Sequence, residues 1–386
     1  MTGNILTKDL EYLLIFSLVL IFPKILQRFK IPSGITALAI GIGLSIFSPT
    51  IKSDPLFRFL SQIGITSLFV FAGLEVSFKE LKKDKIYLTK YLLKFIIILG
   101  IISFGIHKIF SLDIQSSVLL SLGIFTPSAG FILTSLHAYD INKTQEYWVK
   151  SKAISKEVIS ILLLFLALQG NDIKSLAISL VFYIGLYFFL PMLFKFFFKF
   201  VSPHAPNSEI PFLVALSLIS GVISKELGAY YLVGAFAVGI VGSRFRRQIF
   251  KEGEHALFRS LAGFFSVFLP FYFFYAGLGL AVGGFSTTAI LIGVVMFLLF
   301  VPLRIFMINI SFKKFIKDLK VDTRNISLSL MPTLIFGLVI SNILLERDDI
   351  DKTIIYGLIC YTILTSILPA IFFYFSKDKE NEIDVI

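Results

Sequence analysis

The chain has 386 residues, 56% of them hydrophobic, and a mean hydropathy of +0.87, which is more apolar surface than one soluble core of this length can bury. This composition excludes a soluble globular protein and makes the lipid bilayer the solvent. The net charge of +11 does not indicate nucleic-acid binding, because the Lys and Arg residues fall in short loops between apolar segments rather than on one soluble face.

Apolar runs near the ~20 residues that a helix needs to cross ~30 Å of hydrocarbon recur along the whole chain. Bounding these runs by charged residues, Pro or Gly predicts an all-α polytopic membrane protein with about thirteen transmembrane helices. The first run continues through Ile21 to Pro23 without a cleavage site, which is typical of a retained span. The predicted spans are 10–28, 33–50, 57–76, 86–110, 115–137, 149–170, 174–200, 210–223, 228–243, 257–283, 285–312, 325–345 and 353–375.

The basic residues alternate between the two sides of these spans. Basic residues near the end of a span are counted with the adjoining loop. About 24 of the 36 Lys and Arg residues then belong to loops after odd-numbered spans, about 8 belong to the N-terminus and the other loops, and four are counted within spans: Lys90, Lys94, Lys156 and Arg304. Cytoplasmic loops carry the excess of basic residues, so the pattern predicts an N-terminus outside and a C-terminus in the cytoplasm. Residues 1–376 then form one transmembrane domain and 377–386 a short cytoplasmic tail, which leaves regulation to the membrane region or to a separate soluble partner.

Span 6 carries the most informative acidic residue. Glu157 lies about nine residues into the span, roughly 13 Å at 1.5 Å per residue, with Lys156 beside it. Ionisable groups inside a span cost roughly 2.5 to 3.5 kcal/mol on insertion scales, so an intramembrane carboxylate is a candidate functional group. The alternative is a helix that starts later and leaves the pair in the cytoplasmic interface.

Two spans are interrupted in corresponding places. Span 5 reads LSLGIFTPSAGFILTSL, with Pro127 flanked by the hydroxyls of Thr126 and Ser128. Span 12, seven spans later, has Pro332 beside the hydroxyl of Thr333. A proline frees backbone groups in the preceding turn, and paired interruptions indicate a transporter site where two repeats meet. The odd offset predicts inverted repeats whose two broken helices cross near mid-membrane, although a simple proline kink would explain either motif alone.

Arg304 is the remaining charge deep inside a span. Arginine stays protonated in proteins, so at this depth it needs a carboxylate, carbonyl groups or water. We expect it to compensate the charge of Glu157, and the alternative is an arginine that reaches the interface near Lys313.

Three other features have structural explanations. Glu75 is expected to meet Lys79 or Lys82 at the cytoplasmic end of span 3. Lys90 and Lys94 are expected to extend toward the interface. The small residues of LGAYYLVGAFAVGIVGS in span 9 allow close helix packing.

Several segments together resemble a known family: IPSGITALAIGIGL, IGITSLFVFAGLEVSFKEL, LGAYYLVGAFAVGIVGS and LPFYFFYAGLGL. They are similar to the bacterial monovalent cation:proton antiporters of the sodium/proton exchanger superfamily, in the branch that includes glutathione-gated potassium efflux systems. From TPSAG onward the spacing also matches, so the family's intramembrane acidic pair falls on Lys156 and Glu157 without a gap.

The resemblance implies an inverted-repeat fold, a homodimer, and a second acidic position that alternately holds a proton or a sodium or potassium ion, here Glu157. It also implies a basic residue before the second broken span, which Arg304 matches. The first acidic position is usually Asp, Asn or Gln, whereas this chain has Lys156. The expected ion-binding residues are therefore Glu157, Lys156, Thr126, Pro127 and Ser128, with Pro332 and Thr333 on the partner break.

The implied function is electroneutral exchange of protons for Na+ or K+ across the bacterial inner membrane, with no cofactor and no enzymatic activity. Competition between a proton and a cation for one carboxyl is enough for exchange. A fixed ammonium at Lys156 leaves two alternatives open: a transporter of the same fold for a different solute, or a non-transporting membrane sensor or subunit.

Overall fold

The computed structural model describes residues 2–29, 31–47, 49–76, 85–136, 141–170, 172–206, 208–228, 230–245, 249, 254–315, 323–347 and 350–383. These residues form helices and connecting turns, and no strand occurs among them. In chain order the α-helices are α1 (Thr2–Leu26), α2 (Ser33–Phe47), α3 (Pro55–Leu74), α4 (Lys85–Phe110), α5 (Ile114–Phe125), α6 (Ala129–Ser135), α7 (Lys143–Gln169), α8 (Ile173–Phe196), α9 (Glu209–Glu226), α10 (Tyr231–Ser243), α11 (Glu254–Gly279), α12 (Thr287–Phe315), α13 (Thr323–Ser329), α14 (Leu334–Arg347) and α15 (Lys352–Ile383).

Each predicted span coincides with one helix or, for spans 5 and 12, with an interrupted pair, so the prediction of thirteen helical segments is confirmed within the described residues. Seven of these segments are long and apolar enough to cross a membrane by length and composition alone. Three shorter apolar helices add to these: α2, α10 and the Ser266–Gly279 part of α11. The inverted relation between the halves and the orientation of the termini stay predictions.

Three boundaries differ from the predicted ones by more than four residues. Helix α1 begins at Thr2 rather than at 10. Helix α7 begins at Lys143 rather than at 149, because Asn142 and Gln145 form a reciprocal capping box in which each side chain accepts a backbone N–H at 2.9 Å. The last helix continues to Ile383, through most of the predicted tail.

One group of helices packs through glycine. Helix α2 lies against α11, and α3 lies against α10 and α11; we call these four the glycine-packed bundle. Gly41 faces a backbone carbonyl of α11 and Gly277 faces one of α2, while Gly73 and Gly239 approach each other's backbones between α3 and α10. Close backbone approach of this kind needs small residues, so the packing role predicted for span 9 is confirmed.

A second group of helices, the broken-helix bundle, consists of α4–α7 and α12–α15. The two interrupted segments are its centre, since 94% of the apolar window in α5–α6 and 89% of that in α13–α14 are buried inside the protein. Helices α4 and α12 lie at its outside, with only 22% of each window buried. Helix α8 packs against both α7 and α10 and so connects the two bundles.

Candidate ion-binding site

Both breaks fall at the predicted prolines. Residues Thr126, Pro127 and Ser128 separate α5 from α6, and the backbone is extended at Thr126 and Ser128. On the other segment α13 ends at Ser329 and α14 begins at Leu334. The helical hydrogen-bond ladder stops at each break, so backbone groups there need partners from elsewhere.

Ser128 joins the two breaks directly. Its backbone N–H donates to the carbonyl of Pro332 at 2.9 Å. Its hydroxyl oxygen accepts the backbone N–H groups of Ile335 at 2.9 Å and Phe336 at 3.2 Å, in the first turn of α14. One residue of the first broken helix therefore caps the second half of the other.

Arg304 donates hydrogen bonds to the carbonyl groups of the helices that precede the two breaks. Its guanidinium is 2% exposed and donates to the carbonyls of Ile124 at 3.3 Å, Met331 at 3.1 Å and Leu330 at 2.9 Å. It also donates to the hydroxyl of Tyr361 at 3.0 Å, which itself donates to Ile124. These carbonyls lie at the C-terminal ends of α5 and α13, where helix dipoles concentrate negative charge.

Within the described residues Arg304 and Glu157 form no ion pair. The guanidinium that was expected to pair with Glu157 instead binds the carbonyl groups at the ends of α5 and α13. The interfacial alternative for this arginine is wrong, because the side chain is buried at the crossing. A longer-range effect on Glu157 stays a prediction.

Glu157 lies near the middle of α7, fourteen residues after the helix begins, or about 21 Å along it. The side chain is 1% exposed, and the alternative of a helix that starts later is wrong, because α7 begins at Lys143. The backbone N–H of Ala129, the first residue of α6, donates to the carboxyl group. The Oε2 atom has no hydrogen-bond partner in the described part of the chain. A buried carboxyl oxygen without a donor is suited to hold a proton or a cation.

Hydroxyl groups form side-chain hydrogen bonds at both breaks. Thr126 donates to Ser160, one turn beyond Glu157 on α7, at 2.9 Å. At the second break Thr333 and Thr365 share a hydrogen bond at 3.0 Å. The structure therefore brings Thr126, Ser128 and Glu157 together at one crossing, and places Thr333 on the side facing α15.

Lys156 faces a different part of the bundle. Its ammonium lies 5.4 Å from the ring centre of Tyr91 and 4.7 Å from that of Phe95, both on α4. Neighbouring residues on a helix diverge by about 100°, and Lys156 forms no ion pair with Glu157 in the described structure. The position that the resemblance assigns to the first acidic residue thus holds a lysine whose amine lies over aromatic rings of α4.

Lys152 is a buried residue that the loop count of basic residues missed. Its side chain is fully buried, and its Nζ lies 3.6 Å from the ring centre of Phe312 and 4.4 Å from that of Tyr91. No hydrogen-bond acceptor in the described structure reaches this amine. The N-x-x-Q pattern from Asn142 to Gln145 would have placed the helix start early enough to bury it.

The profile of sodium/hydrogen exchanger transmembrane regions matches residues 13–376. The chain belongs to the sodium/hydrogen exchanger family. Two solved structures of the sodium proton antiporter MjNhaP1 from Methanocaldococcus jannaschii share its fold. The structure at pH 8 has a TM-score of 0.64 at 14% identity, covering 95% of this chain and 96% of that one. The electron microscopy structure has a TM-score of 0.65 at 16% identity, covering 95% of each. Among curated protein sequences, none matches significantly.

Other features of this exchanger-family chain are peripheral to the crossing. Lys90 is exposed, whereas Lys94 is half-buried and lines a cavity. Glu75 ends α3, and its expected partners Lys79 and Lys82 lie outside the described residues. Among the described residues there is no group of three or more His, Cys, Asp and Glu that could hold a resident metal. The family is one of transporters rather than enzymes, which confirms that prediction.

Proposed function

We propose that this protein exchanges protons for a monovalent cation, Na+ or K+, across a cell membrane, with Glu157 as the carrier. The observation that supports this most directly is the buried Glu157 carboxyl at the crossing of two broken helices, with one oxygen free of hydrogen-bond partners. Membership of the sodium/hydrogen exchanger family and a fold shared with a sodium proton antiporter support the same reaction.

The crossing allows a proton and a cation to compete for one group. When Glu157 is ionised, the Ala129 N–H and the N-terminal end of α6 stabilise the negative charge. The unpartnered Oε2 then accepts either a proton or a dehydrated cation. The Thr126 hydroxyl and carbonyl groups freed at Pro127 are the further oxygen ligands that an alkali cation would use, whereas the Ser128 hydroxyl already accepts two backbone N–H groups and holds the two breaks together beside the ion.

One carboxyl that alternates between the two ions predicts one-for-one, electroneutral exchange. With a proton or a monovalent cation bound, the Glu157 carboxyl is neutral, and the part of the protein that carries it can move between the two sides at low electrostatic cost. A bare carboxylate resists crossing, because a charge in hydrocarbon is expensive. This difference suppresses uncoupled leak.

The direction of Lys156 favours cation transport over the two alternatives. An ammonium beside the carboxyl would repel an incoming cation, but the Lys156 amine lies over Tyr91 and Phe95 of α4. The positive charge therefore does not contact the ion at Glu157. Transport of another solute, or a sensor without transport, would be the conclusion if no alkali cation drove proton movement.

We also propose a homodimer in a bacterial inner membrane, with the N-terminus outside and the C-terminus in the cytoplasm. The excess of basic residues in loops after odd-numbered spans supports the orientation.

Proton flux in everted vesicles tests the function. Vesicles that contain the protein are acidified by respiration, and Na+, K+ or Li+ salts are then added one at a time. We expect at least one cation to dissipate the pH gradient, and we expect no such loss in vesicles without the protein. The rate should not change when a potential is imposed with valinomycin at fixed gradients. No response to any alkali cation would reject the proposed function.

A further inference from the structure

A cavity of about 430 Å³ opens where α7 ends, beside the start of α8 and the end of α9. Helix α7 belongs to the broken-helix bundle and carries Glu157, whereas α9 packs against α3 and α10 of the glycine-packed bundle. None of the residues at the crossing of the broken helices is among the described residues that line this cavity. In the orientation proposed above, the cavity faces the outside of the membrane.

Two carboxylates line the cavity, and no Lys or Arg occurs among its described lining residues. They belong to Asp172 and Glu226, both exposed at helix ends. Asp172 accepts the backbone N–H of Lys174 at 3.0 Å and the hydroxyl of Ser175 at 2.6 Å. These bonds, that of Ser175 above all, hold the pKa of the Asp172 carboxyl below its ordinary value. The carboxylate is therefore ionised and held in place, and its oxygens keep lone pairs that a cation can use.

A buried amide in the same wall points independently to a ligand. Gln169 lines the cavity and is 4% exposed. Its Nε2 donates to the backbone carbonyl of Leu227 at 2.8 Å, a bond that decides which end of the amide is the oxygen. The Oε1 atom has no donor among the described residues. Leaving a buried acceptor without a partner costs about 1 to 3 kcal/mol, and a cation or the water bound to it would remove this cost.

We propose that this cavity binds a hard divalent cation, with Ca2+ the best fit, between the carboxylates of Asp172 and Glu226 and the Oε1 of Gln169. Ca2+ prefers carboxylate and amide oxygens and accepts irregular coordination completed by water, which suits an open cavity. Two carboxylates balance its charge. Since the site has fewer acidic groups than a resident metal centre, we expect an exchangeable ion with a Kd of about 0.1 to 1 mM. The bound ion would join α7 to α9. Its binding does not depend on the exchange proposed for Glu157.

Binding can be measured with Mn2+ as the probe, because Mn2+ takes the same oxygen ligands and its solution EPR signal is lost when it binds. The purified full chain in the uncharged detergent dodecyl maltoside is titrated with Mn2+ at constant ionic strength, and Ca2+ or K+ is then added as a competitor. We expect one saturable site from which Ca2+ displaces Mn2+ and K+ does not.

Three variants assign the binding to the cavity. Asp172→Asn and Glu226→Gln should each weaken Mn2+ binding by about tenfold or more, because the affinity of an oxygen site follows its number of charged ligands. Gln169→Met removes a neutral ligand and should weaken it about threefold. Asp351→Asn is the matched control, since Asp351 is also exposed before a helix, accepts the backbone N–H of Thr353 at 2.8 Å and does not line the cavity. It should bind Mn2+ like the wild type.

Two results would overturn the proposal. One is displacement of Mn2+ by K+ as readily as by Ca2+ at the same ionic strength, because simple screening of two acidic residues would give that result. The other is unchanged binding in both Asp172→Asn and Glu226→Gln. These two substitutions lie at exposed positions, so they decide the question even if Gln169→Met does not fold.

Discussion

The two helix bundles solve the problem of packing in a membrane in opposite ways. In the glycine-packed bundle the helices are continuous, their backbone groups are paired internally, and glycines such as Gly41 and Gly277 let backbones touch. In the broken-helix bundle the backbone is opened at Pro127 and Pro332, and side chains of Ser128 and Arg304 complete the pairing. Polar chemistry is concentrated where helices are interrupted. Substitutions there should change exchange, whereas substitutions in the other bundle should change only stability.

The strongest test of this contrast is Glu157→Gln. Glutamine keeps the shape but cannot release a proton, so exchange should fall by about two orders of magnitude or more while insertion and melting temperature stay near wild type. Glu157→Asp should retain part of the activity. Vesicle proton flux measures both.

Glu146→Gln is the matched control, since Glu146 is on the same helix but forms an exposed ion pair with Lys150 at 2.7 Å. Exchange by purified Glu157→Gln protein at the wild-type rate would remove Glu157 from the mechanism.

Arg304→Gln should lower the stability of the broken-helix bundle. Three carbonyls at the ends of α5 and α13 lose a charged donor, which should cost about 2 to 4 kcal/mol of stability together with most of the exchange. Arg304→Lys should recover only part, because an ammonium cannot reach the same set of acceptors. Thermal unfolding in detergent gives the measurement, with exposed Arg58→Gln as control. Equal melting temperatures for the two glutamine variants would contradict this role.

A methyl group tests the glycine-packed bundle. Gly41→Ala places a Cβ against the Phe274 carbonyl, so the helices must separate, at a cost of about 1 to 3 kcal/mol. Gly43→Ala, two residues on, adds a methyl where no atom lies within 4 Å and should be neutral. The residual exchange of Gly41→Ala should keep its cation preference. A changed preference would mean that this bundle also shapes the ion site.

Lys156→Asn should have a smaller effect. Because the amine points toward α4, asparagine should leave cation affinity within about threefold of wild type, which is less than the effect of a lost charge contact. Affinity is read from the cation dependence of proton flux. A marked gain would show that the ammonium repels cations from Glu157 after all, and exchange in Lys156→Asn but not in wild type would support the alternative solute.

Reporter tags in the loops test the orientation of the protein in the membrane and should leave the exchange rate unchanged. Reporter tags after Ser243 and at the C-terminus should be cytoplasmic, while tags near Asn171 and Asp349 should be outside. Tags near Asn171 and Ser243 on the same side would contradict the predicted topology.

The thirteen segments and both breaks could be predicted, because the length of an apolar run and the position of a proline determine the structure of the residues next to them. The buried position of Glu157 followed in the same way. The hydrogen bonds from Ser128 to α14 could not be predicted, since they join residues 207 and 208 positions apart in the chain. Arg304 was expected to need a partner, but the choice of carbonyls over Glu157 depends on where the two helix ends meet. Lys152 was counted with a loop because a charged residue by itself indicates a loop. Only the capping box shows that the helix begins at Lys143, nine residues before Lys152.

The three hydrogen bonds of Ser128 have a mechanical consequence. They fasten the two broken helices to each other, so neither can slide alone without losing contacts that hydrocarbon cannot replace. Any displacement that carries an ion must therefore move the fastened pair as one piece, and shear must occur at weaker seams around it.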